Sequence, residues 1–223
     1  MVADLLRVAG ALALLALLVC LLLALFGKGP VGREVARRSR ERRDDLARMA
    51  AGHGWWSGQD DDVADRAWDD TLSGSRAPLC CELLIDGGDD GFVAETWLLP
   101  GRHHQHLLRL PCPGAGNFLV RGLPRKDELR LFPARFRNDA GFVQFHTPML
   151  VGGDFAGVQD RLGPFIEAIE ASRAWVVGTG DELVVMTGSD PSPADFELRL
   201  ALGRALVRAL AGEDRVDSSP PGD

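Results

Sequence analysis

The sequence predicts an α+β protein: an N-terminal transmembrane helix, then one domain with a mostly antiparallel sheet and two helices in its C-terminal half. Three observations predict it. Val8 to Phe26 is an unbroken run of 19 uncharged residues, mostly Leu, Ala and Val. Residues 79–147 hold short apolar or alternating runs separated by Gly, Pro, Asn and Asp clusters, the pattern of strands and tight turns. The last third changes character, passing from helical spacing to two strand-like runs and back to helical spacing. The expected organisation is an anchor at 1–30, a basic juxtamembrane helix at 31–51, a soluble α+β domain at 52–211 and a disordered tail at 212–223.

The anchor follows from length. At about 1.5 Å per residue the apolar run spans about 28 Å, close to the ~30 Å hydrocarbon core. Lipid offers the backbone no hydrogen-bond partner, so the run is expected to be helical. A cleaved signal peptide would want a shorter apolar core, a basic start and a small-x-small site; here Arg7 sits beside Asp4, and Ala24-Leu25-Phe26 is a poor site. Lys28, Arg33, Arg37, Arg38, Arg40, Arg42, Arg43 and Arg48 follow the run, and only Arg7 precedes it. The positive-inside rule then puts the N-terminus outside and the domain in the cytoplasm, as a single-pass protein of the inner membrane. Cys80, Cys81 and Cys112 are the cysteines of the expected soluble domain, and an odd number with two adjacent is not a disulfide framework.

The elements follow in order. Residues 31–51 lack Pro and carry few apolar side chains, so they read as a solvated or lipid-facing spacer helix without a sustained heptad. Gly52-His53-Gly54 ends it. Trp55 and Trp56 either dip into the membrane interface or pack on the domain. Asp60 or Asp61 can cap a short helix through Ala64, Ala67 and Trp68. Strands are expected at 79–85, 92–99 and 103–110, then a loop at 111–116 and a short strand at 117–121. A further strand is expected at 129–137, with Pro133 marking an edge or bulge, and a return strand at 142–147 after the turn Asn138 to Gly141. Residues 152–154 read as a plain loop. Pro164 suits the first turn of a helix over 164–172. Residues 175–177 and 183–186 flank Gly178-Thr179-Gly180-Asp181 as a hairpin. Ser192 caps a last helix with Pro193 in its first turn and an apolar stripe of Phe196, Leu200, Gly203, Leu206, Val207 and Leu210.

Charge excludes one class of function. Residues 27–51 carry eight basic and four acidic side chains, whereas 52–223 carry 16 basic and 27 acidic. A domain that acidic does not replace the counterions of a nucleic-acid backbone, so no nucleic acid is expected as partner.

The cluster closest to chemistry is His103, His104 and His106, with Cys112 six residues on. Residues i and i+2 of a strand share a face, so His104 and His106 could share a metal, with Cys112 joining from the loop. Cys112 beside a histidine could also form an activated thiol. No CxxC, no helical HxxxH and no carboxylate at a telling offset supports either, and a polar strand edge accounts for the residues. The carboxylates Glu95, Asp127 and Glu128 are not brought together by spacing. Neither a catalytic residue nor a cofactor is therefore expected.

An apolar leader, an Arg-rich spacer, Gly52-His53-Gly54-Trp55 entering the domain, and Trp175-Val-Val-Gly-x-Gly-Asp-x-Leu-Val-Val185 before a closing helix form the overall layout. It resembles the uncharacterised single-span, membrane-anchored proteins common in actinobacteria. That resemblance implies a bacterial inner-membrane protein with a cytoplasmic domain, and no catalytic residue. The expected function is a non-enzymatic interaction or scaffold module, with the lipid bilayer and an unknown protein as partners. A sensor of a small ligand or lipid head group is the alternative, and a hydrolase using His104, His106 and Cys112 stands behind it. Spacing sets no oligomeric state.

Overall fold

The computed structural model describes residues 14–15, 17–19, 30–58, 80–99, 103–124 and 133–212, with the side chains of 30–33, 103 and 134 excepted. The expected anchor lies largely outside these residues. Leu14, Leu15, Leu17, Leu18 and Val19 are helical and exposed. Among the described residues no helix is long and apolar enough to cross a membrane. The short helix expected around Ala64 to Trp68 and most of the tail also lie outside them. The chain divides into two compact units, Met1–Asp44 and Asp45–Asp223.

Helix α1 (Pro30–His53) crosses that division. In the first unit it is laced by i,i+3 and i,i+4 pairs: Glu34 with Arg37 and Arg38, and Arg37 with Glu41. Hydrogen bonds from Arg37 and then Arg38 hold the Glu34 carboxyl well below its usual range. In the second unit the helix stops being a solvated spacer. Leu46 and Ala50 are fully buried, and Ala47 and Met49 pack against the same core.

Seven strands form one sheet among the described residues. They are β1 (Trp56–Gly58), β2 (Cys80–Asp86), β3 (Val93–Leu99), β4 (His103–Gly122), β5 (Gly141–Gln144), β6 (Pro148–Gly153) and β7 (Trp175–Thr187). Every pairing is antiparallel. The order is β1-β2-β3-β4-β6-β5, with β7 also paired to β4. The long β4 is the spine. Its first half pairs with β3, its second half with β6, and both halves pair with β7.

Two expected breaks in the chain are bends instead. The loop expected at 111–116 lies inside β4, and the hairpin expected at 178–181 lies inside β7. The two strands bend together. Their register shifts between Pro111 and Gly116, and Gly116 faces Gly180. Gly114, Gly116 and Gly180 take positive φ, which lets the strands turn without leaving the sheet. Asp181 Oδ1 accepts the Gly114 amide at 3.1 Å. Gly178 has a packing reason. A Cβ there would lie 2.5 Å from the Phe118 ring.

The strand expected at 129–137 lies partly outside the described residues, and its described end is corrected. Ala134–Phe136 is a 3-10 turn, opened by Pro133, which has no amide to give a ladder. Its Phe136 packs into a core cluster with Leu119, Leu150 and Trp175. Conversely, β6 covers residues 148–151, to which the sequence assigns no element, and Gly152 and Gly153, expected as loop; Pro148 stands at its first position, where a strand tolerates proline.

The helical elements are α2 (Gln159–Leu162), α3 (Ile166–Ser172) and α4 (Pro193–Ala211). Pro164 falls in a 3-10 turn, Gly163–Phe165, just before α3. The cap of α4 is the expected one. The Ser192 side chain accepts from the Asp195 amide, and Asp195 reaches back in a capping box. Phe196, Leu200, Gly203, Leu206 and Leu210 are its buried stripe. That stripe packs on one face of the sheet with Leu83, Ile85, Leu108, Leu110, Phe118 and Val120. The opposite face gathers Trp97, Leu107, Leu119, Trp175, Val184 and Met186.

Candidate functional site

Among the described side chains His104, His106 and Cys112 do not assemble into a centre, and the His103 side chain lies outside them. His104 and His106 share a strand face, but each is engaged locally. His104 Nε2 lies 2.8 Å from Glu82 Oε2. His106 Nδ1 lies 3.1 Å from Thr96 Oγ1, and its ring meets Phe196 edge-on. Burial, then the nearby Arg199, pushes the His106 ring down to about 3, so it is neutral. Cys112 is buried in the apolar cluster with Phe118 and Leu162, and that burial pushes its thiol up. A raised, enclosed thiol is a poor nucleophile. Among the described residues no three His, Cys, Asp or Glu side chains are placed to hold a metal ion. Cys80, Cys81 and Cys112 are in no disulfide, and burial pushes the Cys81 thiol up to about 12.

Other polar residues noted in the sequence also have structural work. Glu95 accepts from Trp97 Nε1 at 2.8 Å and from Arg109 Nε at 3.3 Å. Arg109 bridges on to Glu182 at 2.9 Å. Burial opposes the Arg109 charge, but the two carboxylates outweigh it. Trp55 belongs to the domain: it stacks on His53, meets Phe92 at a right angle and donates to Asp90. Trp56 is 54% exposed.

Among the described residues a recess lies where β4 ends, β6 begins and α3 closes. It is a cleft of about 280 Å³ lined by Arg121, Gly122, Leu123, Thr147, Pro148, Glu170 and Arg173. Each wall has a local cause. Arg121 pairs with Leu150 on β6 and is 3% exposed. Its guanidinium lies 4.5 Å from the centre of the Trp175 ring, and its Nε donates to the Gly122 carbonyl at 3.1 Å. Gly122 lets α3 approach, since a Cβ there would sit 3.1 Å from Glu170 Cγ. Glu170 accepts the Thr147 hydroxyl at 2.9 Å and lies 3.6 Å from His146 Nε2. Arg173 is the C-cap of α3 at φ 52°, exposed at the rim. The sequence carried no sign of this set, because its members are dispersed over 53 positions and join only through sheet register and the end of α3.

No family model and no curated protein matches the chain. Among solved structures the fold is similar to the crystal structure of the mycobacterial trehalose monomycolate transport factor A, TtfA, with a TM-score of 0.55. The similarity covers 76% of this chain and 93% of that one, at 15% sequence identity. The two share a fold.

Proposed function

We propose that this chain is a membrane-tethered, non-enzymatic accessory module that acts by binding a protein partner at the inner face of a bacterial membrane. The observation that supports it best is the fold shared with a protein described as a transport factor, over nearly the whole length of that factor's chain. A likeness of this kind extends to the architecture, and the residues agree with it. Of the candidates for catalysis, His104 and His106 are engaged in local pairs and Cys112 is packed in the core. The apolar run from Val8 to Phe26 supplies the tether, and the basic residues after it set the cytoplasmic side. By the same likeness the process served is movement of a lipid or glycolipid, and an actinobacterial source fits it.

Cross-linking in intact membranes, followed by affinity capture of the full chain in mild detergent, tests this reading. One or a few membrane proteins should be recovered reproducibly, and recovery should fall when the surface of the domain is altered. Capture of nothing beyond background in repeated trials would refute it.

A second reading, a sensor of a small ligand or lipid head group, is favoured by the cleft between β4, β6 and α3. The cleft is smaller than the ~300–1,000 Å³ of most drug-sized sites, so a head group suits it better than a large molecule.

A further inference from the structure

We propose that the outer face of α4 pairs with the same face of a second copy of this chain, the two helices running antiparallel. The inference concerns self-association and stands whether or not a further protein partner exists.

The solvent side of a surface helix is ordinarily polar. The outer side of α4 departs from that. Positions 194, 198, 201 and 205 are spaced by four, three and four, so they share one side of the helix. Ala194, Leu198, Ala201 and Ala205 occupy them, away from the buried stripe of Phe196, Leu200, Gly203, Leu206 and Leu210. The centre line of this side therefore carries no charge for about three turns. Leu198 is 70% exposed, the highest value for a large apolar side chain described in the second unit. Small side chains on either side of it let a neighbouring helix come close.

The flanking charges choose the occupant. Glu197 lies on one flank of the face near the start of α4, and Arg204 and Arg208 lie on the same flank towards its end. In an antiparallel pair about a two-fold axis, like flanks meet head to tail. With the axis near Ala201, Glu197 of each copy comes within one turn of Arg204 and Arg208 of the other. Leu198 of each falls between Ala201 and Ala205 of the other. A parallel pair would instead turn Glu197 towards the flank that carries Asp195, a like charge. Glu197 lies 3.5 Å from His53 and Arg204 lies 3.2 Å from Asp90, but all four side chains are partly exposed. A carboxylate and a guanidinium each have capacity for more than one partner. Arg208 is exposed. One pair of helices buries less than the ~1,200–2,000 Å² of a standard stable interface, so the pairing is reversible.

Covalent trapping reads a reversible pair. The test is oxidative cross-linking of the purified full chain in mild detergent, with Cys20 and Cys80 replaced by serine so that neither forms the bridge. Ala201→Cys stands on the axis and should yield a disulfide-linked dimer. Ala194→Cys should not, because antiparallel pairing puts it about 20 Å from its counterpart. Adding Leu198→Glu to Ala201→Cys should lower the dimer yield at least about tenfold. The thermal midpoint should stay unchanged, since the side chain is in solvent in the single copy. Glu197→Arg should also weaken trapping, and Arg208→Glu added to it should recover a large part. That recovery separates a contact between copies from the local loss of the His53 contact. No bridge at Ala201→Cys, equal bridging at Ala194→Cys, or undiminished bridging in a folded Leu198→Glu chain overturns the proposal.

Discussion

His106 shows how one residue can look catalytic in sequence and serve stability in the fold. It lies on the middle strand of three, between Thr96 on β3 and Thr187 on β7, under the N-terminal half of α4. Phe196 covers its ring, and Arg199 lies close enough to oppose a second positive charge while donating to Thr187. A proton on His106 would therefore be buried beside a cation. The folded ring titrates near 3 against 6.5 for the ordinary group. The stability this neutral ring contributes is complete above pH 6.5, where neither state binds the proton. It is lost as pH falls from 6.5 towards 3, because there the unfolded chain takes up a proton that the folded chain refuses. Complete loss amounts to something on the order of 5 kcal/mol. Replacing His106 with Gln should flatten the acid limb of a urea-denaturation series by part of that amount and leave the neutral limb nearly parallel. Superimposable acid limbs for the two chains would show that the ring is not held neutral. Arg173 belongs at the same scale. Exchanging it for Gly relieves a left-handed arginine, and the domain should gain about 0.5–1 kcal/mol after allowing for the looser unfolded chain, read as a rise in denaturation midpoint.

Among elements, legibility depended on whether the signal was local. The cap and stripe of α4 were readable because Ser192, Pro193 and the apolar spacing act within one helix. Three strands of the meander, β2, β3 and the start of β4, were readable from alternation and from the turn cluster at Asp86 to Gly91, whereas β1, three residues long, was not. The bends of β4 and β7 were not. Gly178 to Asp181 has the composition of a hairpin turn, and only the partner strand decides between a turn and a bend. Opposite it stands another glycine-rich stretch bent at the same level, so the ladder runs through. This gives a test. Gly178→Ala should cost about 1–3 kcal/mol by overpacking against Phe118, read as a fall in denaturation midpoint, and an unchanged midpoint would mean that the ring is not packed on this strand. The cleft was illegible for a related reason: a rim arginine, a sheet-end arginine and a helix-end glutamate have no common period. The end of α1 was misjudged because Val31, Val35, Leu46 and Met49 are too few for a stripe. Two of them, Leu46 and Met49, nonetheless lie in the turns that meet the core. Leu46→Ala should therefore destabilise the second unit by about 2–5 kcal/mol, measured by denaturant unfolding. A loss below half a kcal/mol would return those turns to the solvent.

For the whole molecule the decisive quantity is the asymmetry of charge about the apolar run. The 27–51 segment has an excess of four positive charges, and the remainder of the chain an excess of 11 negative ones. Each basic side chain near an anionic leaflet contributes up to about 1 kcal/mol, and the same leaflet repels the acidic domain. In the proposed arrangement the 19-residue apolar run spans the bilayer and contributes far more than either, so the tether should not depend on salt. Carbonate and high-salt washing of membranes should then leave the full chain in the pellet. Deleting residues 8–26 should release it, because the basic segment alone, its arginines partly matched by Glu34, Glu41 and Asp45, is screened at high ionic strength. An alkaline phosphatase fused after residue 223 should stay inactive in both chains, since the proposed orientation puts the domain on the cytoplasmic side. Active phosphatase on the full chain would reverse the orientation while leaving the tether intact. Release of the full chain by salt would remove the tether itself, and with it the reason for a membrane-bound partner.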